Sequence, residues 1–159
     1  VFTGLMVTGR AGAAMAAQIA TMRVREQIDA LEVMGVDSVN YLIGPRLFAS
    51  LIALPLLCGT FILVGNLGSW IVGVKLLGID HGIYFSKLPD MFFMTDLYQG
   101  LIKTTVFGAI LSLVGTYNGF NASGGALGVG QATNKSVVTS SVLILVSDYF
   151  ITPILKAYL

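Results

Sequence analysis

The sequence predicts an all-α integral membrane protein whose chain crosses the bilayer several times. Hydrophobic residues make up 55% of its 159 residues and charged residues only 11%, whereas a soluble domain of this size carries about a quarter charged residues. Three apolar stretches, at about residues 47–74, 97–117 and 137–157, are each long enough to cross a bilayer as a helix. One amphipathic stretch with several charges precedes the first of them.

Residues 1–22 are apolar and small, and they predict the end of a membrane helix. Gly4, Gly9 and Gly12 would let another helix approach closely. Arg10 is the exception, because a guanidinium at membrane depth must pair, face water or reach the interface. The chain opens within this apolar stretch, without Met or a charged leader. We therefore expect an N-terminally truncated fragment that further membrane segments precede.

Residues 23–35 predict a short amphipathic helix. Read as a helix from Met22, the chain has Val24, Ile28 and Leu31 on one stripe, while charged side chains lie on another. Gly35 can end this helix in a left-handed conformation, and Asp37 or Ser38 can cap the next one. Such a segment is either an ordinary solvated loop or a docking element for a soluble partner.

The remaining elements follow from the apolar pattern. Residues 47–74 would measure roughly 42 Å as a helix, longer than the ~30 Å hydrocarbon core, so this helix must tilt, bend or protrude. Pro45 suits its start and Pro55 an internal kink. Residues 75–96 predict a periplasmic interfacial segment, and the Gly-rich residues 118–136 a flexible cytoplasmic loop.

The distribution of basic residues weakly favours residues 23–35 on the cytoplasmic side. Four basic residues lie on the side of residues 23–35 and three on the opposite side. The first group is Arg23, Arg25, Arg46 and Lys135, and the second is Lys75, Lys87 and Lys156.

The sequence predicts neither catalysis nor a metal site. It contains no paired His and acid, no nucleophile elbow and no GxxxxGK[ST] phosphate loop. His81 has no accompanying ligand set, so we interpret it as a surface histidine, and Cys58 as a packing residue. The net charge of +1 without a basic run gives no indication of nucleic-acid binding.

Three ionisable residues lie in or near the membrane segments: Arg10, Lys103 and Asp148. Such groups usually face a bundle interior or a wet cavity and mark substrate paths. A cation at Lys103 would suit an anionic headgroup such as a lipid phosphate. Asp148 could pair with Arg10 or Lys103, or could act directly in transport. These residues alone would also allow proton-coupled transport.

The block from Gly9 to Arg46, GRAGAAMAAQIATMRVREQIDALEVMGVDSVNYLIGPR, closely resembles the signature of the MlaE (YrbE) permeases. These are the membrane subunits of ABC-type intermembrane phospholipid transporters. LIALPLL at 51–57, GLIKTTVFG at 100–108 and TYNGF at 116–120 agree with the family pattern. Family members also carry an earlier interfacial helix, a first span and an entry to the second, which this sequence lacks.

The resemblance implies a polytopic ABC permease, not itself an enzyme, in the bacterial inner membrane. Residues 23–35 would be its cytoplasmic coupling helix, and five residues there would meet a separate ATPase that binds the ATP, so this chain needs no cofactor. The five are Arg23, Arg25, Glu26, Asp29 and Glu32. Lys103 matches a lysine position in the family's helix that lines the lipid cavity, to which we also assign Arg10 and Asp148.

The resemblance further implies a homodimer that works with an MCE-domain lipid-binding ring and a STAS-domain protein. Its cargo would be phospholipid, moved between inner and outer membranes to maintain outer-membrane lipid asymmetry. Two alternatives remain open at this stage. One is a secondary transporter that uses Lys103 and Asp148 as a proton relay, and the other is a membrane scaffold that transports nothing.

Overall fold

The computed structural model describes residues 1–82, 84, 86 and 94–158, and no strand occurs among them. Helix α1 (Phe2–Val7) continues through a π-helical turn (Thr8–Gly12) into α2 (Ala13–Val24). The short helix α3 (Gln27–Val33) leads to α4 (Ser38–Trp70), which continues as a π-helical segment (Ile71–Leu76). Helices α5 (Met94–Phe120) and α6 (Gly125–Tyr158) complete the fold.

Three of these helices are long and apolar enough to cross a membrane: Ser38–Leu76, Thr95–Phe120 and Gly125–Ala157. Only 17%, 28% and 11% of their most apolar windows are buried within the chain. The remaining apolar surface must be covered by lipid or by other helices, because contiguous apolar patches of this size are not left in water. The all-α membrane fold class is confirmed.

Helix α5 lies at the centre of the fold and packs against α2, α4 and α6. Phe107 and Leu111 of α5 are fully buried, as is Ile144 of α6. Glycines bring the backbones together: a Cβ on Gly108 would stand 2.7 Å from the Ser50 carbonyl oxygen of α4. A Cβ on Gly119 would stand 2.8 Å from the Ile19 Cβ of α2. Small residues at such crossings are typical of membrane helix packing.

Helix α3 is fastened to the bundle by its apolar side. Ile28 is fully buried and forms one cluster with Ile19 of α2 and Leu42 of α4. Leu31 and Phe120 pack against this cluster. The predicted inward stripe is therefore observed for Ile28 and Leu31, and α3 is held at the junction of three longer helices.

The amphipathic helix is shorter than predicted at both ends. We expected one helix over residues 23–35, but α2 runs on to Val24, and the chain then turns at Arg25 and Glu26. Glu26 adopts a left-handed conformation with φ of 57°, a conformation more typical of glycine. Val24 consequently belongs to α2, and α3 itself holds only residues 27–33.

Two further boundaries differ from the prediction. Helix α4 begins at Ser38, so Pro45 lies inside it and does not start it. Most of the predicted loop at 118–136 is helical, because α5 continues to Phe120 and α6 starts at Gly125. The predicted interfacial segment at 75–96 includes residues 83, 85 and 87–93, which lie outside the described residues.

Candidate functional site

The face of α3 opposite Ile28 is exposed and mixed in character. We call it the α3 surface and define it by Glu26, Asp29, Ala30, Val33 and Met34. All five residues are exposed, and the side chains of Val33 and Met34 are the apolar part, at 89% and 68% exposure. The helix is anchored on its other side, so this exposed apolar pair and the carboxylates beside it are available for contact with a protein partner.

The acidic residues near α3 differ in what they contact. Asp29 Oδ1 accepts a hydrogen bond from Arg23 Nη1 at 2.6 Å, in an exposed ion pair that links α3 back to α2. Glu32 Oε1 accepts from Ser38 Oγ at 2.9 Å, which links α3 forward to α4. Glu26 has no such partner within the described ranges. Its carboxylate is therefore the one at α3 that is open to a partner.

The junction between α3 and α4 is closed by hydrogen bonds at both caps. Gly35, with φ of 76°, donates to the Glu32 carbonyl at 3.0 Å, and Val36 donates to the Leu31 carbonyl at 3.1 Å. This is the Schellman arrangement, and it confirms the predicted role of Gly35. Asp37 then accepts from the backbone amides of Val39 and Asn40 at 3.1 and 3.3 Å. Consequently α3 and α4 are joined with little freedom.

A second group of charges lies between α5 and α6. Lys103 Nζ stands 3.0 Å from Asp148 Oδ1, and the two side chains are only 16% and 25% exposed. The ammonium donates its hydrogen bond to Thr152 Oγ1 at 2.8 Å, and that hydroxyl donates to the Asp148 carbonyl at 2.6 Å. Asp148 Oδ1 lies within ion-pair distance of Lys103 Nζ but accepts no aligned hydrogen bond from the described residues.

Arg10 stands apart from this pair. It lies in the π-helical turn between α1 and α2, is exposed, and makes no ion pair with any described residue. Of the two cations proposed as partners of Asp148, the structure therefore brings Lys103 to it and leaves Arg10 elsewhere. Pairing of this kind is expected, since an isolated charge at membrane depth is costly.

The structure also places residues that the sequence patterns did not single out. Val33 and Met34 precede Gly35 as two adjacent apolar residues off the Ile28 stripe, a signal that could have predicted their exposure. Thr152 follows Asp148 by four residues, so the two share a helix face. His81, which the sequence did indicate as a surface histidine, is exposed and packs edge-on against Trp70 at 5.9 Å between ring centroids.

Comparison with known proteins gives a consistent result. The family profile described as Permease MlaE matches residues 1–154. A Rickettsia typhi protein whose name reads "Probable ABC transporter permease protein" is 43% identical over 98% of this chain and 60% of its own length. The Arabidopsis thaliana protein TRIGALACTOSYLDIACYLGLYCEROL 1, chloroplastic, is 39% identical over 96% of this chain and 43% of its own length.

A Haemophilus influenzae protein is 35% identical over 98% of this chain and 60% of its own length. It is named "Intermembrane phospholipid transport system permease protein MlaE". The chain thus spans 60% or less of the length of these three relatives. With the family profile matching almost every residue, this chain belongs to the MlaE permease family of ABC transporter permeases.

Proposed function

We propose that this chain is the membrane permease subunit of an ATP-driven phospholipid transporter, with ATP hydrolysed by a separate subunit that docks on the α3 surface. The observation that carries the proposal is the geometry of α3. Its apolar side is buried through Ile28, while Glu26, Val33 and Met34 point away from the bundle into a surface that nothing in the described chain covers. The Haemophilus influenzae relative's name supports phospholipid as cargo.

The caps around α3 suggest how force would reach the membrane. Gly35 and Asp37 join α3 tightly to α4, and the Arg23–Asp29 ion pair joins it to α2. A rigid-body displacement of α3 by closing ATPase subunits would therefore move both membrane helices. In the ATPase contact, Glu26 would offer an open carboxylate and Arg25 a cation, with the Arg23–Asp29 ion pair beside them. Glu32 would hold the α3–α4 junction.

Lys103 is the residue we assign to the lipid headgroup. Its ammonium shares Thr152 and Asp148 in the resting arrangement, and a lipid phosphate could replace the carboxylate as its counter-ion. Arg10, exposed on the first helix, is a second cation for the same anionic cargo. Removal of the phosphate would return Lys103 to Asp148, so the ion pair would reset the site after each transfer.

The large exposed apolar faces of α4 and α6 offer membrane-facing surface that helices of a second copy can cover. We propose a homodimer in the bacterial inner membrane, with two ATPase subunits on the cytoplasmic side. An MCE-domain ring and a STAS-domain protein complete the proposed assembly, which would move phospholipid between inner and outer membranes and so maintain outer-membrane asymmetry.

Charge reversal at Glu26 tests the docking proposal. Glu26→Arg should abolish lipid transport and weaken ATPase co-purification by roughly tenfold or more, because an interface carboxylate would become a like charge to its partner. Asp96→Arg, the same change on an exposed residue at the start of α5, should alter neither. Normal transport and normal ATPase recovery with Glu26→Arg would overturn the proposal.

The ion pair also favours a second candidate, a proton-coupled transporter in which Asp148 and Lys103 exchange a proton. Dissipating the proton gradient at constant ATP separates the two, because only the proton relay loses transport directly. If the chain were a scaffold that transports nothing, Lys103→Ala would leave lipid movement unchanged.

A further inference from the structure

An open groove runs between α4 and the continuous helical segment formed by α1, the π-helical turn and α2. It consists of two cavities, of about 310 Å³ near Arg46 and about 320 Å³ near Phe61, and Val7 and Leu57 line both, so the two are continuous. In the cavity near Arg46, Ala11 and Met15 line one wall and Ala53 the other. We call this the α2–α4 groove.

The groove runs along the helix axes and is about as long as the hydrocarbon core of a bilayer is thick. The two walls are antiparallel, since Gln18 contacts Arg46 at one end and Phe2 packs against Phe61 at the other, with 5.9 Å between the tilted rings' centroids. Arg46 and Val64 mark its limits on α4. Their separation of 18 residues corresponds to roughly 27 Å of helix, close to the ~30 Å hydrocarbon thickness.

Arg46, whose guanidinium is not fully hydrogen-bonded by the described residues, closes one end of this apolar groove. Arg46 Nη2 donates to Gln18 Oε1 at 3.4 Å, a long contact, while Nη1 is buried and has no acceptor among the described residues. A guanidinium N–H withdrawn from water without an acceptor is strongly unfavourable. Nη1 therefore needs a hydrogen-bond acceptor from outside the described chain, and the positive charge of the guanidinium favours an anionic one.

We propose that the α2–α4 groove binds a phospholipid, with its phosphate on Arg46 and one acyl chain along the apolar walls. A phospholipid matches the groove at both ends. Its phosphate would meet the cation at the end nearest α3, and its acyl chain would lie along the apolar walls through the depth of the bilayer. The site is separate from Lys103 and Asp148, which lie between α5 and α6. It does not depend on the transport proposal, because a lipid here would bridge the two helices that flank α3 whatever the cargo.

The occupant can be identified by photo-crosslinking in the intact membrane complex, reconstituted in vesicles of phosphatidylethanolamine and phosphatidylglycerol. A benzoylphenylalanine replaces Ala53, which faces the groove, or Leu63, which is 67% exposed and lies outside it. We expect the Ala53 position to gain the mass of one phospholipid. An adduct to polypeptide, from this chain or another, would overturn the proposal, and so would the absence of any adduct.

The role of Arg46 is tested in the same assay. Arg46→Gln should reduce the Ala53 lipid adduct roughly tenfold while leaving the Leu63 adduct unchanged, because bulk lipid needs no guanidinium. Arg46→Lys should restore much of the adduct, which separates loss of charge from misfolding. Lys75→Gln removes a cation from the other end of the same helix and should change neither adduct. An Ala53 adduct unaffected by Arg46→Gln would refute the assignment.

Discussion

Lys103 and Asp148 stay paired because either charge, left alone at this depth, would be unfavourable. Their side chains are 16% and 25% exposed, so removing one leaves a charge that water reaches poorly. We expect Lys103→Met or Asp148→Leu to destabilise the protein by roughly 2 to 4 kcal/mol, somewhat below the 3–5 kcal/mol of a fully buried pair. The double variant should regain most of that loss, as measured by unfolding of the purified complex in detergent.

The same variants distinguish a structural pair from a lipid-binding one. If Lys103 contacts the headgroup, the double variant should be stable yet defective in lipid transport. Additive stability losses would show that the two side chains do not depend on each other, and full transport by the double variant would remove Lys103 from the lipid path.

For single residues, the sequence pattern singled out the charges in the membrane segments but did not show how they pair. Lys103 and Asp148 stand out because charges are rare in apolar stretches. Choosing between Arg10 and Lys103 as the partner required the relative rotation and depth of three helices, which no local pattern carries. Arg46 went unnoticed as a site because what distinguishes it is a buried Nη1 with no acceptor in the described part of the chain, which only folding creates.

At the level of elements, glycines decide how closely helices approach, and two glycines of α5 give a matched comparison. A Cβ on Gly108 would stand 2.7 Å from the Ser50 carbonyl oxygen, while one on Gly100 would meet no described residue within 4 Å. We expect Gly108→Ala to destabilise the protein by about 1 to 3 kcal/mol through forced separation of α4 and α5. Gly100→Ala should be neutral or slightly stabilising.

Thermal unfolding of the two purified variants checks this directly, and their relative order is the result that matters. Equal melting temperatures would mean that α4 and α5 can separate at no cost. The hydrogen bond from Ser50 Oγ to the Gly108 carbonyl, at 3.0 Å, gives a second reason to expect loss, since separating the helices would also break it.

Helix boundaries were the least predictable feature, for physical reasons that can be named. The break before α3 depends on a left-handed Glu26, and nothing about a glutamate signals that conformation. The start of α6 lies in a Gly-rich stretch that looks like a loop, yet Ala132 and Ser136 are buried there. A Cβ on Gly128 would collide with the Ser123 carbonyl, so this glycine serves packing and not flexibility. Caps with local signals, at Gly35 and Asp37, were predicted correctly.

In the molecule as a whole, α3, which connects α2 to α4, and the turn between α5 and α6 lie at the same end of the bundle. The Ile28 cluster includes Phe120 at the end of α5, so α3 and the turn that leads into α6 lie together. The far end of the first long span, at Leu76, lies at the opposite end of α4. This arrangement follows from packing and does not depend on counting charges, which separated the two sides by only four basic residues to three.

Single-cysteine labelling tests this topology and the docking proposal together. In a Cys58→Ala background, Val33→Cys and Ser123→Cys should react with a membrane-impermeant maleimide in inverted vesicles, and Leu77→Cys only in intact spheroplasts, because these three positions are exposed at opposite ends of the fold. Reaction of positions 33 and 123 from opposite sides would refute the arrangement. In complexes that retain the ATPase, position 33 should become protected while position 123 stays reactive. Equal reactivity of position 33 with and without the ATPase would mean that the α3 surface is not where the ATPase binds.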